Sequence, residues 1–218
     1  MMDQTQHTTP YGTASLILIE HTSGQVALLC DEDQPHAAIY AAKALGATRV
    51  IEVVSARPLD RLLDRGDIVL PDDLVDLTCG RRSTFFVGKG YGFIPQRPVF
   101  CPEVRSALLA GVRAGGGRSF ARGTLAVVED WGQSQAAREW GAHILASTVA
   151  PAAYLAKELE LCYAPLCIVE EEEELPAALL SAAIEHLPPA RLCSCQSAMQ
   201  PARQRGLVGD DWRLWMDV

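Results

Sequence analysis

The chain has 218 residues, 49% of them hydrophobic and 21% charged, and a formal net charge of −8 at pH 7. It is long enough to bury one sizeable core, and its negative charge without a basic cluster argues against a nucleic-acid backbone as the partner. No apolar run reaches the roughly 20 residues that span a bilayer, and no signal-like region opens the chain, so we expect a cytoplasmic protein that binds no membrane.

Strand-like and helix-like segments alternate along the chain. Two short apolar runs separated by Thr-Ser-Gly predict a hairpin, and a β-branched run after a glycine predicts a strand buried in a parallel sheet. In chain order, the predicted elements are strands 16–20 and 26–30, helix 35–45, strands 49–54 and 68–70, helix 102–114, strand 123–128, helix 133–140, strand 143–146, helix 150–160, strand 164–169 and helix 176–187. This alternation predicts an α/β fold, a single domain with a mixed β-sheet covered by helices on both faces.

The chain contains seven cysteines. Cys30, Cys101, Cys162 and Cys167 lie in apolar surroundings, which predicts small buried residues of a reducing compartment. The sequence Cys-Ser-Cys at 193–195 is a close pair, but no second pair has ligand spacing and the nearby histidine is isolated. We therefore expect no metal site, and no cofactor either.

Three segments resemble a known family. They are Gly-Thr-Leu-Ala-Val-Val-Glu (123–129), Trp-Gly-Ala-His-Ile-Leu-Ala-Ser-Thr-Val-Ala-Pro (140–151) and Leu-Ala-Lys-Glu-Leu-Glu-Leu-Cys-Tyr-Ala (155–164). They resemble the nucleoside-binding half of purine nucleoside phosphorylases, most of all the 5'-methylthioadenosine phosphorylase branch. The resemblance extends over 9–200 and implies one nucleoside phosphorylase-like domain over 1–218, with 201–218 as a C-terminal tail.

The resemblance implies a pocket for a purine nucleoside, whose glycosidic bond breaks through a cationic state that nearby anions stabilise. Glu129 matches the family's ribose-binding glutamate, Ser147 stands where the family has a methionine, and Thr148 matches a threonine. Trp131 lies in a shortened loop and would replace the aromatic residue that stacks on the base, although it is equally suited to packing or to an interface. Phe93 falls on the position of a histidine that reaches the neighbouring subunit's site.

The resemblance places the catalytic acids in the run of five glutamates at 170–174. Glu171 and Glu173 fall on two aspartate positions of the family, where a carboxylic acid hydrogen-bonds the base and protonates it as it leaves. The same run also fits a solvated loop or the start of a helix, because acidic residues are favoured at helix N-termini.

The phosphate-binding motifs of the family are not matched. We expect the chain to lack the glycine-rich phosphate loop, and Cys-Asp-Glu-Asp at 30–33 replaces an Arg-His-Gly segment. Ser55, His36 and Arg57 are the remaining candidate phosphate ligands. The sequence therefore predicts a degenerate phosphate site and little or no phosphorolysis.

Three functions remain open. The protein is an enzyme that cleaves a nucleoside by weak phosphorolysis or by hydrolysis, a module that binds a purine without turnover, or a structural partner of a full-length paralogue. We also expect a trimer or a trimer-based hexamer, since the segment before Cys101 resembles the family's intersubunit edge. An isolated sheet would, in addition, expose Phe85, Phe86 and Phe93.

Overall fold

The computed structural model describes residues 4–22, 24–30, 33–89, 94–170 and 177–216. Within these ranges, ten strands form the sheet and six α-helices flank it. The strands are β1 (Gln4–Thr9), β2 (Gly12–Ile19), β3 (Gln25–Leu29), β4 (Ala47–Pro58), β5 (Ile68–Val69), β6 (Asp73–Asp76), β7 (Ser119–Phe120), β8 (Thr124–Val127), β9 (Ile144–Ala146) and β10 (Cys162–Val169). The helices are α1 (Pro35–Ala44), α2 (Pro102–Ala114), α3 (Ser134–Glu139), α4 (Ala152–Glu158), α5 (Ala177–Glu185) and α6 (Gln200–Gln204).

The sheet is mixed and branches at β4. Its main path runs β1-β2-β3-β4-β10-β5-β7, while β9, β8 and β6 continue from the far end of β4. Strands β3, β4 and β10 are mutually parallel, and so are β6, β8 and β9. Ligands of open α/β sheets bind beyond the carboxyl ends of such strands, so this edge is the natural place for a site.

The strand and helix positions follow from where apolar side chains fall. All eight residues of β10 are buried, as expected for a strand covered on both faces. Helix α1 begins at Pro35, whose missing N–H is tolerated in a first turn, and it buries a small-residue face against the sheet. In the described part of the chain, no helix combines the length and the apolar character needed to cross a membrane.

The predicted α/β fold with a mixed sheet is confirmed, although three of the strands, β1, β6 and β7, were not predicted. Strand β1 is polar along its length and pairs only with β2, so it has no apolar pattern to detect. Strands β6 and β7 are four and two residues long. Strand β4 continues past the predicted 49–54 to Pro58, with Ser55 and Arg57 exposed on either side of buried Ala56.

Two expectations about exposure are wrong. Phe85 and Phe86 are only 3% and 7% exposed because they pack into the main core of the single chain. The expected trimer or hexamer therefore loses this support and stays a prediction carried by the resemblance, while Phe93 lies outside the described residues. Cys30 is exposed at the end of β3, rather than buried.

The segment after α5 is fastened to the body of the protein. The Glu160 carboxylate accepts hydrogen bonds from the Met199 backbone N–H at 3.0 Å and from the Arg203 guanidinium at 2.7 Å. Arg191 donates to the Glu160 carbonyl at 2.9 Å, and Trp215 is buried. The stretch that the sequence designated a tail is thus packed against the sheet domain.

Helices α2 and α5 make a close contact at Gly111. A Cβ atom at this position would lie 2.5 Å from the Cα and N atoms of Ala183. We expect Gly111→Ala to lower the free energy of unfolding by about 1–3 kcal/mol despite alanine's higher helix propensity, because the α5 backbone must move. Urea denaturation measures this change. Gly115→Ala is the control, since its Cβ would meet nothing nearer than 3.6 Å; equal stability of the two variants would contradict the prediction.

Candidate functional site

Two clefts open at the carboxyl ends of the central strands, and both are bordered by the turn that follows β9. The first cleft has a volume of about 440 Å³ and the second about 420 Å³. Ser147 and Thr148 line both clefts. The first is also lined by Asp33, His36, Glu52, Arg81 and Arg82, and the second by Ser55, Arg57, Trp131 and Glu170.

The shared turn has a strained backbone that an arginine holds in place. Val149 has φ of 79°, a left-handed conformation that β-branched residues rarely adopt and that costs on the order of 1–3 kcal/mol. One guanidinium nitrogen of Arg81 donates to the carbonyls of Ser147 at 2.7 Å and Ala150 at 3.0 Å. Arg81 Nε lies 3.6 Å from a carboxylate oxygen of Glu129, so the same side chain links Glu129 to the turn. Sequence reasoning did not select Arg81.

Thr148 presents an unused hydroxyl between the two clefts. Its Oγ1 atom is buried and has no hydrogen-bond partner among the described residues. A buried polar group without a partner costs about 1–3 kcal/mol, a cost that a ligand oxygen or nitrogen in either cleft would offset. Thr148 is therefore the clearest ligand contact among the residues that the sequence selected.

Trp131 and Arg57 form a stacked pair on one wall of the second cleft. The guanidinium carbon of Arg57 lies 4.0 Å from the centroid of the Trp131 ring, within the range of a cation–π interaction. The Asp130 side chain accepts a hydrogen bond from Gly132 N–H and starts the short 3₁₀ helix that carries Trp131. A candidate base-stacking residue and a candidate phosphate ligand thus share one wall, with Ser55 beside them.

Glu52 is a buried carboxylate in the first cleft that sequence reasoning missed. It is 4% exposed and accepts a hydrogen bond from the Tyr163 hydroxyl at 2.5 Å. Its signal in the sequence was a single charged residue within the otherwise apolar stretch 50–54, since charged residues are rarely fully buried without a partner. Together with Asp33 it gives this cleft two carboxylates, which oppose the binding of an anion.

His36 lies in the first cleft but brings no positive charge. Burial lowers its pKa, as does Arg82 nearby, while a hydrogen bond to the Thr84 carbonyl acts in the opposite direction. Its Nε2–H donates to Thr84 O at 3.3 Å, and its ring packs edge-on against Phe85. The other ring nitrogen of neutral histidine is an acceptor, so His36 is poorly suited to hold a phosphate oxygen near neutral pH.

Glu158 on α4 anchors the segment that carries Arg81 and Arg82. Its carboxyl group accepts hydrogen bonds from the Thr84 hydroxyl at 2.5 Å and the Phe85 N–H at 2.7 Å. Burial raises the pKa of Glu158 to about 7, although both hydrogen bonds and Arg82 act to lower it.

Most of the predicted site residues that the structure describes lie at the shared turn or in one of the two clefts. Ser147 and Thr148 lie at the shared turn, His36 lies in the first cleft, and the second cleft holds Ser55, Arg57 and Trp131. Glu129 is half-exposed beside the turn and reaches it through Arg81. Glu171, Glu173 and Phe93 lie outside the described residues. The expectation of no metal rested on sequence spacing, whereas the fold brings four cysteines together at the other end of β10.

Comparisons with known proteins identify the family. A family model described as the phosphorylase superfamily matches residues 6–185. A probable 6-oxopurine nucleoside phosphorylase of Thermococcus kodakarensis is 30% identical over 237 residues, covering 89% of each chain. An S-methyl-5'-thioadenosine phosphorylase of Thermofilum pendens is 29% identical over 231 residues, covering 89% of this chain and 88% of its own.

Solved structures agree on the fold. A methylthioadenosine phosphorylase from an Antarctic soil metagenomic library superposes with a TM-score of 0.69 at 24% identity, over 94% of this chain and 80% of the other. The Schistosoma mansoni methylthioadenosine phosphorylase in complex with tubercidin gives 0.66 at 20% identity, over 98% and 87%. The chain belongs to the phosphorylase superfamily, in its purine nucleoside and methylthioadenosine phosphorylase family, as the resemblance predicted.

The raised pKa of Glu158 gives a pH-dependent stability. The ordinary pKa is 4.5 and the folded value is about 7, so the folded protein keeps a proton in this interval that the unfolded chain releases. Stability contributed by this group is therefore present below pH 4.5 and lost as the pH rises to 7. Arg82 and the Tyr11 hydroxyl also interact with this group, and both are the same in the wild type and in a Glu158→Gln variant.

We expect Glu158→Gln to remove the fall in stability that Glu158 causes as the pH rises toward 7. Between pH 5 and 7.5 the free energy of unfolding of the wild type should fall by on the order of 2 kcal/mol more than that of the variant. Urea denaturation at both pH values measures the difference. Glu139→Gln, which changes an exposed carboxylate on α3, should keep the wild-type profile. Parallel profiles for Glu158→Gln and wild type would contradict the assignment.

Proposed function

We propose that this protein binds a purine nucleoside or its free base in the two clefts around Thr148, and that its phosphorolytic activity is severely reduced. The observation that carries the proposal is the orphaned hydroxyl of Thr148 at the junction of the clefts. The names of the relatives point to purine nucleosides as the ligand class. Glu129, tied to the same turn through Arg81, supports a ribose-binding role.

The second cleft suits the base and the first suits the sugar. Trp131 offers an aromatic surface of the kind on which a purine stacks, and Arg57 adds a hydrogen-bond donor beside it. Ser147 borders both clefts next to Thr148. Glu171 and Glu173 remain the proposed acids for the leaving base, because they follow Glu170, which lines the second cleft.

Weak use of phosphate follows from the charges of the first cleft. Asp33 and Glu52 contribute two carboxylates, and His36 is neutral near pH 7. The two carboxylates offset the charges of Arg81 and Arg82 in the same cleft, and one guanidinium nitrogen of Arg81 already donates to two carbonyls of the turn. Without a surplus of cations, the attacking anion is poorly positioned, and loss of positioning removes several kcal/mol of catalysis.

Hydrolysis is the second candidate reaction. The buried carboxylate of Glu52 borders the cleft that would hold the sugar, and a carboxylate can accept a proton from an attacking water. Release of the free base without phosphate would distinguish hydrolysis from phosphorolysis.

Ligand binding is tested at Thr148. We expect Thr148→Val to weaken the binding of adenine or methylthioadenosine by roughly tenfold in calorimetry, because a hydrogen bond to the ligand is lost. The unfolding temperature of the ligand-free protein should stay the same or rise, since the variant removes a buried unsatisfied group. Thr124→Val is the control: this residue lies at the amino end of β8, away from the clefts, and the variant should bind the ligand as the wild type does. Absence of any binding by the wild type would refute the proposal.

Phosphate dependence is tested at Glu52. We expect no more than a trace of adenine or hypoxanthine release from methylthioadenosine or inosine with phosphate present. Glu52→Gln should raise phosphate affinity by roughly tenfold, because one buried negative charge disappears while the amide still accepts from Tyr163. Asp33→Asn should have a smaller effect, since its charge is exposed and screened. If the wild type shows robust phosphate-dependent turnover and Glu129→Gln abolishes it, the proposal of reduced phosphorolysis is wrong.

A further inference from the structure

Four cysteines come together at the amino end of β10, away from the clefts. The Sγ atoms of Cys101, Cys162, Cys193 and Cys195 all lie within 4.8 Å of one another, and all four residues are buried. In a tetrahedral metal centre with metal–sulfur bonds of about 2.3 Å, the sulfur atoms are about 3.8 Å apart. The cluster therefore has the dimensions of a four-thiolate metal site.

Separate elements supply the four side chains. Cys101 immediately precedes α2, and its backbone N–H donates to the Tyr163 carbonyl at 2.8 Å, which aligns it with Cys162 at the start of β10. Cys193 precedes the 3₁₀ turn Ser194–Ser197, and Cys195 lies inside this turn. The N–H groups at the start of the 13-residue helix α2 favour a thiolate at Cys101, which immediately precedes this helix.

The cluster is not a pair of disulfides. All four thiols are free, and the Sγ atoms of Cys162 and Cys193 are 3.3 Å apart, compared with about 2.05 Å in a disulfide bond. Nor is it accounted for by simple apolar packing, because four soft ligands converge on one point instead of spreading over the core.

A buried cation beside the cluster is an independent observation. Lys157 on α4 is only 5% exposed, and its ammonium group donates to the Pro98 carbonyl. It also lies close enough to all four cysteines for negative charge on their sulfur atoms to act on it. A divalent metal bound to four thiolates has a net charge of −2, which a buried ammonium group partly compensates.

We propose that Cys101, Cys162, Cys193 and Cys195 bind a zinc ion that fastens the C-terminal segment to the sheet. An all-thiolate set is soft and leaves no open position, which is typical of structural zinc rather than catalytic zinc. Each thiol gives its proton to solvent when it binds, so four thiols and one Zn²⁺ yield the tetrathiolate and up to four protons. The ion would join α2, β10 and the 193–195 turn.

Metal content is the direct test. The full-length chain without a histidine tag, purified under reducing conditions from zinc-supplemented cells, should contain a single zinc ion per chain by mass spectrometry of the elements. The metal-free protein should bind Co²⁺ with the strong visible and near-ultraviolet bands of a tetrahedral cobalt–thiolate centre, and Zn²⁺ should remove those bands. Absence of these bands, iron in place of zinc, or two disulfides in the unreduced protein by mass spectrometry would each overturn the proposal.

Variants locate the site. Cys195→Ser should retain less than about a tenth of the wild-type zinc, or lose the cobalt–thiolate spectrum, because three thiolates bind far more weakly than four. Cys167→Ser changes a buried cysteine on the same strand as Cys162 but outside the cluster, and it should keep the full metal content. If Cys195→Ser does not fold, the cobalt titration of the metal-free wild-type protein still decides the question. Equal zinc content in the two variants would refute the assignment.

Discussion

The parallel pairing of β4 with β10 determines where both candidate sites lie. The two strands are in register from Arg49 opposite Cys162 to Ala56 opposite Val169. Since a strand rises about 3.3 Å per residue, the two ends of this pairing are roughly 23 Å apart. The clefts open at the carboxyl end, where Ser55 and Glu170 emerge, and the four cysteines gather at the amino end around Cys162. A change of register by one residue would disturb both sites at once.

The first cleft combines a preorganised turn with a buried negative charge. Arg81 holds the strained turn at Val149, as a preorganised binding site requires, yet Glu52 places a buried carboxylate next to it. Buried charges act strongly over a few ångströms, so a single residue of this kind can decide whether an anion or a neutral ligand binds.

Local patterns predicted the larger elements well because each has its own apolar periodicity. Helix α1 was predicted as 35–45 and spans Pro35–Ala44, and strand β10 was predicted as 164–169 and spans Cys162–Val169. Burial of Phe85 could not be read from its neighbours, because helix α4 and Tyr11 from the first hairpin cover it.

The sites were harder to predict than the elements. Thr148 and Glu129 were found through the resemblance, but Arg81 acts through two backbone carbonyls distant in sequence, and no local pattern marks it. The cysteine cluster was missed for the same reason, because its members come from segments that are distant in sequence. Its ligands come from three elements, so the spacing rules that detect zinc fingers, which need two close pairs, do not apply to Cys101 and Cys162.

Helix α4 carries two buried ionic side chains at successive positions. The Lys157 ammonium group donates to the Pro98 carbonyl, and the Glu158 carboxyl group accepts from Thr84 and Phe85. Successive residues of a helix are about 100° apart around its axis, so no rotation of α4 can keep one of these contacts and release the other. A rotation of α4 about its own axis would break both contacts together, so the two side chains fix the orientation of the helix against the two ends of the fold.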